Sequence, residues 1–202
     1  MSFVRSSKPK GGISSKANNY LSNKDYANEA YKTVDEKRKN EKYREKLSKD
    51  YVNTFEEDDR FVISHQGTNP KDPFQLLADL HVGKNDIDKS IYFRKSNQDT
   101  SDIIKEIRKT SDKRIDIVGH SLGGTTATHS LNNKYISDNV SNVYTYNPGT
   151  TPFGGKQHIK GGVSHKIINY KTQGDIISQG QTHGTDIPIY KEGASLLEKH
   201  SI

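Results

Sequence analysis

The stretch Ile115–Gly124, IDIVGHSLGG, constrains the fold of this chain more than any other. It begins as an apolar, β-branched run, which predicts a buried strand, and it ends in the pattern G-x-S-x-G around Ser121. A helix-like segment, Thr125–Leu131, follows. A serine at such a turn has a strained backbone and small neighbours two residues away on each side, here Gly119 and Gly123. The pattern alone is common by chance, but this strand-and-helix context makes Ser121 a candidate nucleophile beside helix amides that can stabilise an oxyanion.

Apolar runs and helical patterns alternate along the rest of the chain. The predicted strands are Arg60–Gln66, Lys113–Gly119, Val140–Tyr146, His165–Tyr170 and Ile187–Tyr190. The predicted helices are Gln75–Leu80, Asp102–Lys109, Gly124–Lys134 and a terminal turn in Ala194–Ile202. Strands that alternate with crossovers of about 10–15 residues favour a mostly parallel central sheet flanked by helices. We therefore expect one α/β domain over residues 55–202.

The N-terminal quarter differs in charge. The chain carries a net charge of +6, and residues 1–50 hold all of this excess, with 13 Lys+Arg and 7 Asp+Glu. We expect a disordered tail over Met1–Asn19 and one or two amphipathic helices from Tyr20 to Thr54, with their tyrosines facing the core. The simplest interpretation of this N-terminal basic helical extension is a solvated arm that packs on the core. Peripheral contact with an anionic membrane is an alternative, and nucleic-acid binding is not expected.

The composition excludes several classes of chemistry and of membrane insertion. The chain has no cysteine, so it has no disulfide, no thiol nucleophile and no Cys-ligated metal. No run approaches the roughly 20 apolar residues of a membrane span, and no apolar segment typical of a signal peptide follows the N-terminus. We expect a soluble protein that the Sec route does not export, while the compartment and the oligomeric state stay open.

A serine hydroxyl becomes a good nucleophile only when a base takes its proton and a carboxylate orients that base. After a strand–G-x-S-x-G–helix unit, the acid and then the base follow the serine along the chain. The acids beyond Ser121 are Asp138, Asp175, Asp186, Glu192 and Glu198. Asp175 is favoured because it comes just after the predicted strand His165–Tyr170. Asp138 precedes its strand, and Asp186 and Glu192 flank the short last strand.

Two histidines, His183 and His200, follow Asp175 and compete as the base. We favour His200, which lies beyond the last predicted strand, and keep His183 as the alternative. The remaining histidines are expected to be packing or surface residues: His65, His81, His120, His129, His158 and His165. His120 must point away from the nucleophile, whereas His65 ends a strand beside a candidate oxyanion loop. That loop, Gly67-Thr68, would supply one backbone donor and the amide of Leu122 the other.

Several segments, which follow one another along the chain in the family's order, make residues 50–202 resemble the class 3 (fungal-type) lipases of the α/β-hydrolase superfamily. GHSLGG matches the family's nucleophile turn without change, and FVISHQGTNP resembles its strand with the oxyanion residue, here Thr68. PFQLLADL resembles the lid hinge, here Asp79-Leu80, and YTYNPG the strand that follows the nucleophile. YKTQGDIIS resembles the segment with the family's catalytic aspartate, here Asp175. The terminal HSI resembles the His-Ser-Leu motif of short lipase-like members, which supports His200 as the base.

The chain also departs from the family pattern. Gln66 stands where the family usually has arginine, the usual lid tryptophan is absent, and the lid region, roughly Asn69–Leu77, is short and polar. These departures argue against a deep triglyceride groove and strong interfacial activation. The cysteine-free, Lys- and Asn-rich composition resembles that of small members of viral or intracellular origin.

The resemblance implies an α/β-hydrolase fold and a serine carboxylic-ester hydrolase (lipase, phospholipase or esterase). Its substrate would be a lipid or a small ester, and it implies no metal and no organic cofactor. The alternatives are an inactive lipase-like protein that binds lipid or has a structural role, a serine peptidase or thioesterase, and a nucleic-acid binder that uses the basic arm. Reaction of Ser121 with a fluorophosphonate would separate the enzymes from the binding proteins.

Overall fold

The computed structural model of the chain describes residues 12–69, 89–150, 159 and 162–202, and side chains from residue 20 onward except 196 and 197. The strands are β1 (Val52–Glu56), β2 (Arg60–His65), β3 (Arg114–His120), β4 (Asn142–Tyr146), β5 (Ile167–Thr172) and β6 (Thr185–Ile189). The helices are α1 (Gly12–Glu29), α2 (Val34–Lys37), α3 (Ile91–Arg108), α4 (Leu122–Ser130), α5 (Lys134–Asn139) and α6 (Leu196–His200). Short 3₁₀ turns occupy Glu45–Leu47 and Val163–Lys166.

The six strands form one sheet in the order β1-β2-β3-β4-β5-β6. β1 is antiparallel to β2, and every other neighbouring pair is parallel. The predicted mostly parallel sheet with flanking helices is therefore confirmed. Because the carboxyl ends of β2 to β6 lie at one edge of the sheet, the segments that leave these strands meet there.

One face of the sheet is covered by α3, α4 and α5. β3 turns Ile115 and Ile117 toward this face, as expected for alternate residues of a strand. These side chains belong to an aliphatic core cluster. The residues that the helical side contributes to it are Ile103, Ile104, Ile107, Ala127, Leu131 and Ile136. Burial of these side chains fixes α4, and with it the turn at Ser121, against β3.

The opposite face carries α1 and is rich in tyrosine. Tyr26 of α1 is buried with Val118, Tyr144, Tyr146 and other side chains, which confirms part of the predicted tyrosine stripe. A buried ion pair also holds this helix. The Nη1 atom of Arg60 lies 3.0 Å from Oδ2 of Asp116 and donates to Oδ1 of Asn23 in α1, at 2.9 Å.

The N-terminal region differs from its prediction in three ways. The helix begins at Gly12, inside the segment predicted as a disordered tail. Between α2 and residue 51 the chain forms turns and a 3₁₀ turn, and Val52–Glu56 is a strand where a helix was predicted. Tyr31, predicted to face the core, is 39% exposed in the turn after α1. The helix-like spacing of Leu47, Tyr51 and Val52 is thus produced by a turn that runs into a strand.

Some predicted elements lie outside the described residues. These are the helix Gln75–Leu80 with the hinge Asp79-Leu80, most of the lid region Asn69–Leu77, and the histidines His81 and His158. Among the described helices, none is long and apolar enough to cross a lipid bilayer.

Candidate active site

Ser121 lies at the turn between β3 and α4. Its backbone has φ 54° and ψ −126°, a conformation that costs free energy in any residue with a side chain. The turn is possible because Gly119 and Gly123 pack backbone to backbone. A Cβ atom on Gly119 would overlap the carbonyl group of Gly123, and one on Gly123 would overlap the carbonyl oxygen of His65. The sequence prediction of a strained strand-to-helix turn with two obligatory glycines is confirmed.

His200 and Asp175 complete a hydrogen-bonded chain with this serine. The Nε2 atom of His200 lies 2.8 Å from Oγ of Ser121, and its Nδ1 atom lies 3.0 Å from Oδ2 of Asp175. Since a carboxylate only accepts, Nδ1 carries a proton and Nε2 is left to accept from the serine hydroxyl. The order serine, base, acid in space is the one in which the serine can become a nucleophile.

Asp175 is placed and kept ionised by its surroundings. Its side chain is fully buried, and burial alone would raise its pKa, but hydrogen bonds from His200 and Ser178 hold the pKa below its usual range. Oγ of Ser178 donates to Oδ2 at 2.7 Å, and the amide of Ile177 donates to Oδ1 at 3.1 Å. Ser178 was not predicted from the sequence, although its place three residues after the acid is a signal for such a contact.

The alternative base and three of the other four candidate acids have partners elsewhere. The Nδ1 atom of His183 lies 3.4 Å from Oγ of Ser164. Asp138 pairs with Lys134, Asp186 accepts from Asn169 and Thr182, Glu198 accepts from the backbone and hydroxyl of Ser195, and Glu192 is exposed. The structure therefore brings together Ser121, Asp175 and His200, and it places His183 beside a different serine.

The candidate oxyanion donors lie on either side of Ser121. Leu122 is the first residue of α4, so its amide has no acceptor within the helix and stands at the positive end of the helix dipole. On the other side, the loop after β2 approaches the turn: a Cβ on Gly67 would lie 2.8 Å from the carbonyl oxygen of His120. Thr68, the next residue, is partly buried. The structure therefore places both predicted segments, the Gly67-Thr68 loop and Leu122, next to the turn at Ser121.

Asn147, which the sequence analysis did not single out, ties the base to the sheet. It follows β4 with a φ of 43°. Its Nδ2 atom donates to the carbonyls of Lys199 and His200, at 2.9 and 3.0 Å, and its Oδ1 atom accepts from the amide of Thr172 at 2.7 Å. Its place directly after a strand, in the sequence Asn-Pro-Gly, was the available signal.

His120 is not a simple packing residue. Its ring is nearly buried, its Nδ1 atom lies 2.7 Å from the hydroxyl of Tyr31, and its Nε2 atom lies 2.7 Å from the main-chain carbonyl of His200. Burial lowers the pKa of His120 to about 4. The ring therefore bonds to Tyr31 and to the backbone of the base, and its contact with the base was not predicted.

His65 is fully buried and neutral. Burial lowers its pKa to about 3, and its Nε2 atom lies 3.1 Å from Oγ1 of Thr100. His129 packs edge-on against Phe93, and His165 is exposed. Within the described part of the chain, no three His, Asp or Glu side chains are grouped so that they could hold a metal ion.

The arrangement can deprotonate a serine hydroxyl and present it beside helix amides, which is the chemistry of nucleophilic attack on a carbonyl. Comparison with models of known protein families gives no match, and neither does comparison with curated protein sequences.

Proposed function

We propose that the chain is a serine carboxylic-ester hydrolase with an α/β-hydrolase fold. The observation that carries the proposal is the hydrogen-bonded chain from Ser121 through His200 to the buried Asp175. The strained turn, the flanking glycines and the mostly parallel sheet with its acid after β5 and base after β6 support it. The substrate is a lipid or a small ester, and the residues described supply the chemistry without a cofactor.

The reaction proceeds in two halves. Ser121 Oγ attacks the ester carbonyl while His200 Nε2 takes its proton, and the negative charge on the carbonyl oxygen is held by the amide of Leu122 and the Thr68 loop. Collapse of this intermediate breaks the bond to the alcohol, which leaves with the proton from His200. Water then attacks the acyl-enzyme, with His200 again as base, and releases the acid and free Ser121.

Asp175 makes this possible without taking up the proton. Its carboxylate fixes the tautomer of His200 and stabilises the imidazolium that forms when Ser121 loses its proton. The hydrogen bonds from Ser178 and Ile177 keep the carboxylate ionised in a buried position. This division of roles gives Asp175 an effect on turnover rather than on substrate binding.

Hydrolysis of p-nitrophenyl butyrate and p-nitrophenyl palmitate by wild type and three variants tests the proposal. Ser121→Ala and His200→Ala are expected to lower kcat by about 10⁴ or more, because Ser121, His200 and Asp175 act together and each variant removes one of the three. His183→Ala, the matched histidine control, is expected to keep wild-type turnover. The ratio of the wild-type rates on the butyrate and the palmitate ester separates a lipase from an esterase. Absence of hydrolysis in the wild type would favour the lipid-binding alternative.

A further inference from the structure

We propose that His120 and Tyr31 are positioning residues for His200 and act through its main-chain carbonyl; this inference rests on the proposed function. Each of these side chains makes a short polar contact in one chain that runs from the end of α1 to the base. The chain is Tyr31 hydroxyl, His120 ring, His200 carbonyl.

His200 needs such support because its own helix is weak. α6 has five residues, far fewer than the roughly 12–15 that an isolated helix needs to persist in water. The last carbonyls of a helix also have no partner within it. In this structure they accept from other segments: Lys191 donates to the carbonyl of Glu198, and Asn147 to those of Lys199 and His200. Lys191 also donates to the carbonyl of Ser201, the residue after the helix.

The carbonyl of His200 itself accepts from two side chains, Asn147 at 3.0 Å and His120 at 2.7 Å. Both bonds are made to the main chain of His200, and so they fix the position of the backbone from which its imidazole ring extends. The rings of His120 and His200 are also in contact, with centroids 5.0 Å apart. A loss of the shorter bond lets the imidazole move relative to Ser121 while Asn147 and Lys191 keep the helix attached.

Tyr31 fixes the proton on the correct nitrogen of His120. Because a carbonyl can only accept, Nε2 of His120 must carry the hydrogen that bonds to His200. In a neutral ring Nδ1 is then an acceptor, and the hydroxyl of Tyr31 donates to it at 2.7 Å. Without this hydroxyl the other tautomer becomes accessible, and in that tautomer Nε2 and the carbonyl of His200 face each other as two acceptors.

Tyr31 also contacts the candidate oxyanion loop. A Cβ atom on Gly67 would overlap the hydroxyl of Tyr31, so this loop and the tyrosine are in close contact. The segment that carries Tyr31 is itself held to the sheet by α1, where Ser64 donates to the carbonyl of Tyr26 at 2.7 Å. Tyr31, in the turn after α1, therefore contacts both the candidate oxyanion loop and the ring of His120, which bonds to the base.

The test compares Tyr31→Phe, His120→Ala and His120→Gln, with Tyr135→Phe as the matched control. Tyr135 is 38% exposed, close to the 39% of Tyr31, and lies on α5. The readouts are kcat and KM with p-nitrophenyl butyrate, the melting temperature, and the far-downfield proton resonance of the His200–Asp175 hydrogen bond in the NMR spectrum.

Tyr31→Phe is expected to lower kcat by roughly 3- to 10-fold, the effect of one lost hydrogen bond, with KM unchanged. His120→Ala is expected to lower kcat by about 10²-fold through displacement of His200. His120→Gln is expected to recover most of this loss, because its amide N–H can donate to the same carbonyl. Tyr135→Phe is expected to match the wild type in every readout.

Wild-type kcat in both Tyr31→Phe and His120→Ala would overturn the inference, as would a His120→Gln that folds normally and is as slow as His120→Ala. If His120→Ala does not fold, Tyr31→Phe still decides, since it removes a single hydroxyl and keeps the aromatic ring. If the wild type hydrolyses no ester, the proposed function fails. The downfield resonance then decides the inference: broadening in Tyr31→Phe but not in Tyr135→Phe supports it, and an unchanged resonance overturns it.

Discussion

Nε2 of His200 lies 2.8 Å from Oγ of Ser121, although the two residues are 79 positions apart in the chain. One comes from the turn after β3 and the other from the helix after β6, so the sheet itself sets their separation. Parallel pairing of β3 to β6 brings both to the same edge. Changes that shift the nucleophile turn or α6 are therefore expected to act on the reaction even where the substituted residue is remote from the substrate.

Asp175→Asn is expected to lower kcat by about 10⁴ while the fold is kept, because an amide no longer holds His200 in the tautomer that accepts from Ser121. The measurement is kcat with p-nitrophenyl butyrate, and circular dichroism checks the fold. Asp186→Asn is the matched control: this acid is exposed and bonds Asn169 and Thr182. Equal loss in both variants would show that any acid near β5 and β6 matters only for structure.

Gly123→Ala is expected to destabilise the protein by roughly 3 kcal/mol or more, since overpacking against backbone cannot be relieved by side-chain movement. The new methyl group would overlap the carbonyl of His65 and press on Gln66. Gly193→Ala serves as the control, because its Cβ meets nothing within 4 Å and only its φ of 69° is unfavourable. Urea unfolding measures both, and a smaller loss in Gly123→Ala than in Gly193→Ala contradicts the packing of the turn.

Stability is expected to fall as the pH drops from about 6.5 toward 4. In the folded state the pKa of His120 is about 4 and that of His65 about 3, whereas 6.5 is the ordinary value, so the unfolded chain binds protons first. Each ring contributes roughly 2 kcal/mol of loss between pH 7 and 5. The lowered pKa of Asp175 acts in the same direction at more acidic pH.

Urea unfolding at several pH values measures this slope, and variants assign it to individual rings. His65→Gln is expected to reduce the slope by about half, because one of two buried rings no longer titrates. His165→Gln, which replaces an exposed ring, is expected to keep the wild-type slope. A stability curve that is flat between pH 7 and 5 would contradict the burial of these histidines.

Asn147→Ala is expected to lower kcat by about 10²-fold, because the carbonyls of Lys199 and His200 lose a donor and the base is displaced. The substitution also leaves the amide of Thr172 without its acceptor and strains a backbone with φ 43°. Asn142→Ala is the control, because Asn142 begins β4 and so lies at the opposite end of this strand from Asn147, which follows it. Comparable kcat in the two variants would show that Asn147 does not position His200.

The sequence predicted well those elements whose pattern is local. β2, β3 and the turn at Ser121 follow from apolar runs that end in glycine, and Asp175 and His200 follow from their order after the nucleophile. β1 was missed because its Asn53 and Thr54 are buried polar residues whose side-chain partners lie elsewhere in the chain: Lys37 donates to Oδ1 of Asn53, and Oγ1 of Thr54 donates to the carbonyl of Leu47.

Two other features depend on contacts that no local pattern contains. α3 begins eleven residues before its predicted start at Asp102. Its first half buries the polar residues Ser96 and Thr100 as well as Tyr92 and Phe93, so its buried face does not show the hydrophobic periodicity of a helix in the sequence. The contact of His120 with the carbonyl of His200 joins residues 80 positions apart. Both follow from tertiary packing rather than from propensity.

Fluorophosphonate labelling followed by peptide mapping tests the central claim most directly, because the reagent reacts with an activated serine and needs no knowledge of the substrate. The wild type is expected to carry the label on Ser121 and on no other residue. His200→Ala is expected to react at least about 10³-fold more slowly, and His183→Ala at the wild-type rate. An unlabelled wild type, a label on another serine, or a rate that does not depend on His200 would contradict the proposed nucleophile and its base.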